Sequence, residues 1–283
     1  GYTDGTLGVG LDATGLMGLK LDSGDGTAGS GLLPADRSGG SQDEYSKLDL
    51  TAKFRASKST LRVGSLAFRS PIVSSNDTRL LPASFRGALL NVQEFDQLTL
   101  QGGKIDRIKA NSSSDYTEMS ANRIGGNSDS FVFGGGDYKL TPELSAGLHY
   151  GNLQDIYRQY YSTLVYLRPL GEGQSLKTDL RFSKSQEDGN FRDIDNQAFG
   201  AMFTYTLGGH SFGAGYQRMS GDDPFPYIAS SDPFLVNFIQ INDFANIDER
   251  SWQARYDYNF AALGLPGLTF MSRYVSAHER QAG

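Results

Sequence analysis

Basic side chains in this sequence recur at alternate positions of segments whose other positions are apolar. Segment 47–55 alternates between an apolar and a polar set, Leu48, Leu50, Ala52 and Phe54 against Lys47, Asp49, Thr51, Lys53 and Arg55. A β-strand points successive side chains to opposite faces, so this segment has one apolar and one charged face. Arginine stays charged and binds a carboxylate through two parallel hydrogen bonds, so such a face could guide small carboxylates.

The same alternation places further cations on the polar faces of their segments. The nominated residues are Lys53, Arg55, Arg62, Arg181, Arg255 and Arg273. Arg158 joins them if Tyr157, Tyr161 and Val165 form the apolar face of segment 157–167. Each single cation has a simpler interpretation, as a solvated side chain or as the partner of a nearby carboxylate, namely Asp49, Asp179 or Asp257. Taken together, the cations predict a basic track along one surface.

The elements that carry these residues are short alternating segments near ten residues long, and helical periodicity is scarce. Aromatic side chains such as Trp252 and Tyr274 lie near the segment ends, as in the interfacial girdles of membrane barrels. Twelve strands are predicted, at 2–12, 44–57, 59–68, 96–108, 129–140, 143–151, 157–167, 174–185, 197–207, 210–219, 249–260 and 267–277.

The connections between these strands fall into two kinds that mostly alternate. Tight turns are predicted around Gly208-Gly209 and Pro142, whereas 22–43, 109–128 and 220–248 are long and polar. A transmembrane barrel has short turns on one rim and long loops on the other, and its backbone must be fully paired in lipid. The pattern therefore predicts an all-β transmembrane antiparallel up-and-down barrel. The alternative is a soluble antiparallel β-protein with one solvated face.

Segment 69–95 is an unusual loop because it carries apolar residues and two prolines. A long loop with its own apolar content is usually packed against something and functional. In a barrel the available place is the interior, where the loop would narrow the channel and turn Asp77 and Arg79 toward a permeating solute. The alternative, an external loop in which Asp77 and Arg79 form a local ion pair, is equally compatible with the sequence.

Composition excludes several classes of protein. The chain has 283 residues, a net charge of −6 and a pI near 5.1, which argues against nucleic-acid binding. It has no cysteine, so disulfide frameworks and thiolate metal sites are excluded. No apolar run approaches the roughly 18 residues of a transmembrane helix.

No enzyme or cofactor is predicted. The three histidines, His149, His210 and His278, are scattered, and spacing supports no Ser-His-Asp group. Loops 22–26 and 187–195 resemble calcium-binding loops in composition but lack EF-hand spacing, so no metal site is predicted.

Several segments, in order along nearly the whole chain, resemble the OprD-type porins of pseudomonads. Residues 76–86, Asn-Asp-Thr-Arg-Leu-Leu-Pro-Ala-Ser-Phe-Arg, are similar to the inward-folded constriction loop of that family. Further similar segments are 15–22, 98–107, 155–158, 248–258 and 264–274.

The resemblance implies a barrel of about eighteen strands in the outer membrane, as a monomer or loose trimer, in contact with outer-membrane lipids and lipopolysaccharide. It implies selective uptake of small carboxylates past a constriction that includes Asp77, Arg79 and Arg86. Segment 171–181 is closer to the aromatic-acid branch than to the basic-amino-acid branch. Residues 1–283 are then one barrel domain that lacks the family's terminal strands.

Two alternatives stay open. The first is a porin of the same class that is selective for basic amino acids or peptides. The more remote one is a surface β-protein that grips a glycan or a protein with its long loops.

Overall fold

The computed structural model describes residues 1–22 and 29–278, which form fifteen β-strands and one short 3-10 helix, Phe260–Leu263. The first eight strands are β1 Leu7–Leu19, β2 Glu44–Ala56, β3 Ser59–Leu66, β4 Ser84–Val92, β5 Leu98–Lys109, β6 Met119–Ala121, β7 Gly125–Ser128 and β8 Phe131–Lys139. The others are β9 Leu144–Leu153, β10 Tyr157–Gly171, β11 Gln174–Glu187, β12 Asp195–Leu207, β13 His210–Ser220, β14 Arg250–Asn259 and β15 Thr269–His278. No helix in the described part of the chain is long and apolar enough to cross a membrane.

Thirteen strands form one antiparallel sheet in which each strand pairs with the next in the chain. Only β6 and β7 stand apart, as a small two-stranded sheet inside the connection between β5 and β8. Such up-and-down pairing needs only local connections, as expected for a membrane barrel. The predicted all-β antiparallel architecture is therefore confirmed.

All twelve predicted strands are present, and three strands were missed. The prediction of a loop over 69–95 is wrong beyond residue 83, because residues 84–92 form β4. The sequence 87–90 is Gly-Ala-Leu-Leu, in which two adjacent leucines follow a glycine and an alanine. This segment therefore lacks the alternation of apolar and polar residues that predicts a strand. A register shift between Arg86 and Gly87 disturbs it further. The first strand was also placed too early, since β1 continues to Leu19.

The two faces of the sheet differ in what they contact. The outward face carries large apolar side chains that stay exposed, such as Leu50, Phe203 and Trp252. The inward face is the one against which the loops pack, and it holds buried polar residues such as Gln217 and Gln253. Because an exposed apolar band cannot face water over a whole sheet, the outward face suits a lipid environment.

Turn lengths separate the two rims as predicted. One rim has the short connections, with Gly208 at φ +57° in the two-residue turn between β12 and β13. The opposite rim has the connection between β1 and β2 and the connections 67–83, 110–130, 188–194 and 221–249. Each rim has one exception: on the long-loop rim 154–156 joins β9 and β10 with three residues, and on the short-turn rim 260–268 joins β14 and β15 with nine.

The apolar core lies on the inward side, under the loops. Phe85, Leu89, Ile105 and Phe131 are fully buried and project from β4, β5 and β8. Loop 67–83 contributes Phe68, whose ring centroid lies 5.4 Å from that of Phe133 and 5.7 Å from that of Phe85. The loop is thus held to the wall by the hydrophobic effect.

The assignment of faces predicts opposite outcomes for neighbouring residues in the middle of β10. Leu164 faces outward and Val165 inward, where Val165 is paired with Asp179. Leu164→Arg should destabilise the protein by about 2–4 kcal/mol, because lipid solvates a guanidinium poorly. Val165→Arg should cost much less, since water can solvate a guanidinium on the inward face. Urea unfolding from lipid vesicles, followed by the fluorescence of Trp252, measures the difference, and equal losses would contradict the assignment.

Candidate functional site: the inward face and the loops packed on it

Loop 221–249 lies along the inward face of the second half of the sheet. Glutamine side chains of the wall hold its backbone: Gln159 Nε2 donates to the carbonyl oxygen of Pro226 at 3.1 Å, and Gln217 Nε2 to that of Phe244 at 2.8 Å. Gln253 Nε2 donates to the carbonyl oxygen of Val236 at 2.8 Å. A loop away from water needs partners for its backbone, and these amides supply them.

Loop 67–83 docks onto loop 221–249. Ser75 and Ser231 form an isolated β-bridge, and the amide of Asp232 donates to the carbonyl oxygen of Ser74 at 3.0 Å. Asn76 Nδ2 donates to Asp232 Oδ1 at 2.5 Å. Residues 67–83 of the apolar segment therefore pack against a second loop as well as against the wall.

Loop 110–130 completes the group. Ala121 and Ile228 form a β-bridge, and Asn122 Nδ2 donates to the Tyr227 hydroxyl at 2.6 Å. The Tyr227 hydroxyl in turn donates to Asp243 Oδ2 at 2.8 Å. Burial first, and then the charge of Asp243, raise the pKa of Tyr227, which keeps this hydroxyl a neutral donor.

A cavity of about 410 Å³ lies where the three loops meet. Two arginines line it. Arg123 is paired with Asp243 at 2.7 Å. Among the described residues, Arg79 donates only to oxygens of uncharged groups, namely Thr78 at 3.2 Å and the carbonyl of Gln240 at 3.4 Å. The remaining lining is dominated by amides and hydroxyls, including Asn76, Asn111, Asn122, Ser230 and Ser231. Such a site can accept an anion at Arg79 and hydrogen-bond the rest of a polar solute.

The other residues assigned to the constriction lie apart from this cavity. Asp77 is exposed, and no salt bridge joins it to Arg79 within the part of the chain that the structure describes. Arg86 was placed in the loop, but it lies on β4, where its guanidinium pairs with Asp106 at 2.5 Å. Its carbon Cζ is 5.8 Å from the centroid of the Tyr116 ring, so Arg86 belongs to the wall.

Most cations nominated from the alternation face inward. Arg181 pairs with Asp179 at 2.9 Å, and Arg255 pairs with Asp257 at 2.7 Å. Lys53 pairs with Asp12 at 2.6 Å. The expectation that Asp49 neutralises Lys53 and Arg55 is wrong, because Asp49 lies 2.9 Å from Lys109 on β5. Sheet register, which the sequence does not reveal, decided these partners.

Three inward arginines, Arg55, Arg62 and Arg273, have no carboxylate partner among the described residues. Arg62 lies opposite Lys53 across β2 and β3, and Arg273 lies opposite Arg255 across β14 and β15. Nη1 of Arg273 donates to the carbonyl oxygen of Phe238 at 3.4 Å. Arg55 faces inward at the short-turn end, where Cζ lies 5.0 Å from the ring centroid of Tyr2.

The assignment of Arg158 to the inward face is wrong. In β10, Gln159 and Tyr161 hold loop 221–249, and the Tyr161 hydroxyl donates to the carbonyl oxygen of Phe234. Arg158 therefore shares the outward face with Tyr160 and Leu164. Tyrosines occupy both faces of this strand, so aromatic content did not reveal which face is inside.

Sequence reasoning missed Arg123, Tyr227 and Asp243, which lie in loops treated as external. A signal was present: loop 221–249 contains Phe225, Phe234, Phe238 and Phe244, the same apolar content that identified 69–95. Of the two loops with calcium-like composition, 22–26 lies outside the described residues from residue 23 onward.

The structure has thirteen antiparallel strands with one apolar and one polar face, a rim of long loops, and loops packed on a cationic inner wall. This combination is typical of an outer-membrane channel. A family model described as outer membrane porin, OprD family, matches residues 1–282. The chain belongs to the OprD family. Its fold is therefore that of a transmembrane β-barrel, and the family is one of channels rather than enzymes.

Known relatives within the family give the same result. Porin D of Pseudomonas aeruginosa is 38% identical over 99% of this chain, which spans 66% of that protein's length. The crystal structure of P. aeruginosa OpdO is 60% identical and has a TM-score of 0.88; the match covers 100% of this chain and 72% of OpdO. The crystal structure of P. aeruginosa OpdK with vanillate is 37% identical and has a TM-score of 0.90; the match covers 97% of this chain and 73% of OpdK.

The junction of loops 67–83 and 221–249 should respond to pH through Asp232. Burial raises its pKa from 3.8 to about 6 and Asp77 adds to the rise, while the hydrogen bond from Asn76 and the charges of Arg69 and Arg79 act in the opposite direction. Since the raised pKa means that ionisation costs folded-state free energy, the docking should strengthen as the pH falls from above 6 toward 4.

Hydrogen exchange measures this effect through the amide of residue 232, which donates across the junction to the carbonyl oxygen of Ser74. Its protection, corrected for the intrinsic rate, should rise on acidification in the parent protein. It should be independent of pH in Asp232→Asn, because asparagine mimics the neutral acid. The interpretation fails if the variant retains the pH dependence.

Proposed function

We propose that this protein is a channel for the selective diffusive uptake of small carboxylate solutes across the outer membrane, with aromatic acids favoured. The observation that carries the proposal is the charge on the inward face. Lys53 and Arg62 oppose each other, as do Arg255 and Arg273, and each pair has one carboxylate within salt-bridge distance, Asp12 or Asp257. Each pair therefore leaves one uncompensated positive charge on the wall.

Uncompensated charge acts strongly inside a channel. A narrow passage with low-dielectric walls focuses the field of its charges and raises the local concentration of counter-ions. Arg79 extends the cationic surface into the cavity between the loops, where its guanidinium donates to uncharged oxygens of Thr78 and Gln240. A carboxylate would therefore meet Arg79 first at the long-loop rim and the wall arginines further in.

Aromatic solutes are favoured by the rings beside the cations. The ring of Phe234 lies under the guanidinium of Arg181, with the Cζ atom 3.7 Å from the ring centroid. Phe238 lies in the same loop as Phe234, and its carbonyl oxygen accepts a hydrogen bond from Arg273 of β15. A ring and a cation together match the two ends of an aromatic acid. The 37% identical OpdK has been crystallised with vanillate, an aromatic carboxylate, which supports the same class.

Replacing Arg79 should weaken anion selectivity at the loop cavity. In Arg79→Ala the nearest unpaired cation of the cavity is lost, so we expect the reversal potential in a benzoate gradient to move toward zero. Blockade events by benzoate should shorten about tenfold if one charge-assisted contact is lost. Single-channel recording measures both quantities, and unchanged values in both would contradict the role of Arg79.

The wall arginines should act together. Arg62→Gln combined with Arg273→Gln neutralises the arginine that has no salt bridge in each of the two cross-strand pairs, while leaving every wall salt bridge described above intact. We expect benzoate selectivity to fall further than in either single variant. Arg168→Gln is the matched control, because Arg168 lies on the outward face of β10 and should leave the reversal potential unchanged.

A solute panel tests the class itself. Liposome swelling by the full-length protein should be faster with benzoate-type acids than with tricarboxylates or basic amino acids of similar size. Preferential swelling with basic amino acids would overturn the proposal and favour the other branch of the family.

A further inference from the structure

Two arginines oppose each other on the outward face, away from the channel. Arg218 of β13 and Arg250 of β14 are direct cross-strand partners. They share their face with Tyr216 and Trp252, which form the next outward pair along the same two strands. Both arginine residues are exposed.

No carboxylate among the described residues forms a salt bridge with this pair. Like charges directly opposite on a sheet are destabilising. Within the described residues neither guanidinium has a salt bridge or hydrogen bond, and the neighbour of Arg250 on the far side is His278 of β15. Glu249 is adjacent in sequence but buried, so it points to the other face. An external anion would relieve the repulsion.

The position of the pair relative to the membrane restricts what this anion can be. Trp252 and Tyr274 pack with ring centroids 5.4 Å apart, and such outward aromatics mark the membrane interface. Arg218 and Arg250 lie two residues beyond Tyr216 and Trp252, next to loop 221–249 on the long-loop rim. That rim faces the outside of the cell, so the pair lies at the headgroup level of the outer leaflet.

We propose that Arg218 and Arg250 form a binding site for a phosphate group of lipopolysaccharide in the outer leaflet. Two planar guanidinium groups side by side can each give a phosphate two hydrogen bonds. Phe199, the outward cross-strand neighbour of Arg218 on β12, is exposed and offers an apolar surface to an acyl chain. The site would thus contact two parts of the lipid, the charged headgroup and an acyl chain. It lies on the lipid-facing side of the sheet, opposite the solute path.

The test compares the double variant Arg218→Gln, Arg250→Gln with the parent full-length protein in detergent. The probe is purified lipid A with both phosphates, and native mass spectrometry measures the bound fraction over a concentration series. We expect affinity to fall about tenfold for each arginine lost. The matched control is Arg168→Gln, an exposed outward cation at the short-turn rim, which should bind lipid A like the parent.

Two further arms separate lipopolysaccharide from other anions. Dephosphorylated lipid A should bind the parent no better than the double variant, and inorganic phosphate at the same concentration should not displace lipid A. The lysine variant Arg218→Lys, Arg250→Lys should recover part of the affinity, because it restores charge but not the planar fork.

Three results would overturn the proposal. One is equal lipid A binding by the parent and the double variant. Another is displacement of lipid A by inorganic phosphate, which would indicate a general anion site. The third is a changed oligomeric state of the double variant with unchanged lipid A binding, which would make the pair a contact between protein copies.

Discussion

The pairing of every backbone amide within the membrane is the constraint on which this structure depends. Lipid offers no hydrogen-bond partners, so the segments that cross it must pair with one another along their full length. Antiparallel pairing between neighbours satisfies this need, and thirteen strands pair with their neighbours in chain order. Once the backbone is paired, the period-two alternation of side chains divides the wall into a lipid-facing and a water-facing surface.

The inward surface solves a second hydrogen-bonding problem. Loops that fold into a channel bring their own backbone groups away from bulk water. Amide side chains of the wall provide the missing partners. Gln159, Gln217 and Gln253 each donate to a carbonyl oxygen of loop 221–249. Glutamine suits this role because its amide donates hydrogen bonds without carrying a charge. The loop is therefore held in place without changing the electrostatic potential that the arginines set.

The wall carries arginine–carboxylate pairs and, in addition, arginines that have no carboxylate partner among the described residues. Arg181 and Arg255 each have a carboxylate two residues away on their own strand, which fixes their side chains. Additional positive charge comes from Arg273, which lies opposite Arg255, and from Arg62, which lies opposite Lys53. The paired carboxylates hold the guanidinium groups in defined orientations, and the unpaired cations supply the net field. A wall of this kind attracts anions without retaining them too tightly, as conduction requires.

The sequence by itself determined the strands, their two faces and the asymmetry of the rims. These follow from local alternation and turn chemistry, which need no knowledge of distant residues. It also indicated that the apolar residues of loop 67–83 must be covered, although it placed the end of that loop twelve residues too late, at 95, by including β4. Where both faces of a strand carry tyrosines, as in β10, local pattern was ambiguous and Arg158 was placed on the wrong face.

Only the tertiary structure decided which groups meet. Lys53 is paired with Asp12 and Asp49 with Lys109, because strand register joins residues far apart in the sequence. The cavity that contains Arg79 needs three loops, and no local signal states that residues near 76, 122 and 240 come together. The outward pair of Arg218 and Arg250 likewise exists only through the register of β13 and β14. Alternation fixes the face of a side chain, whereas register and loop packing fix its partners.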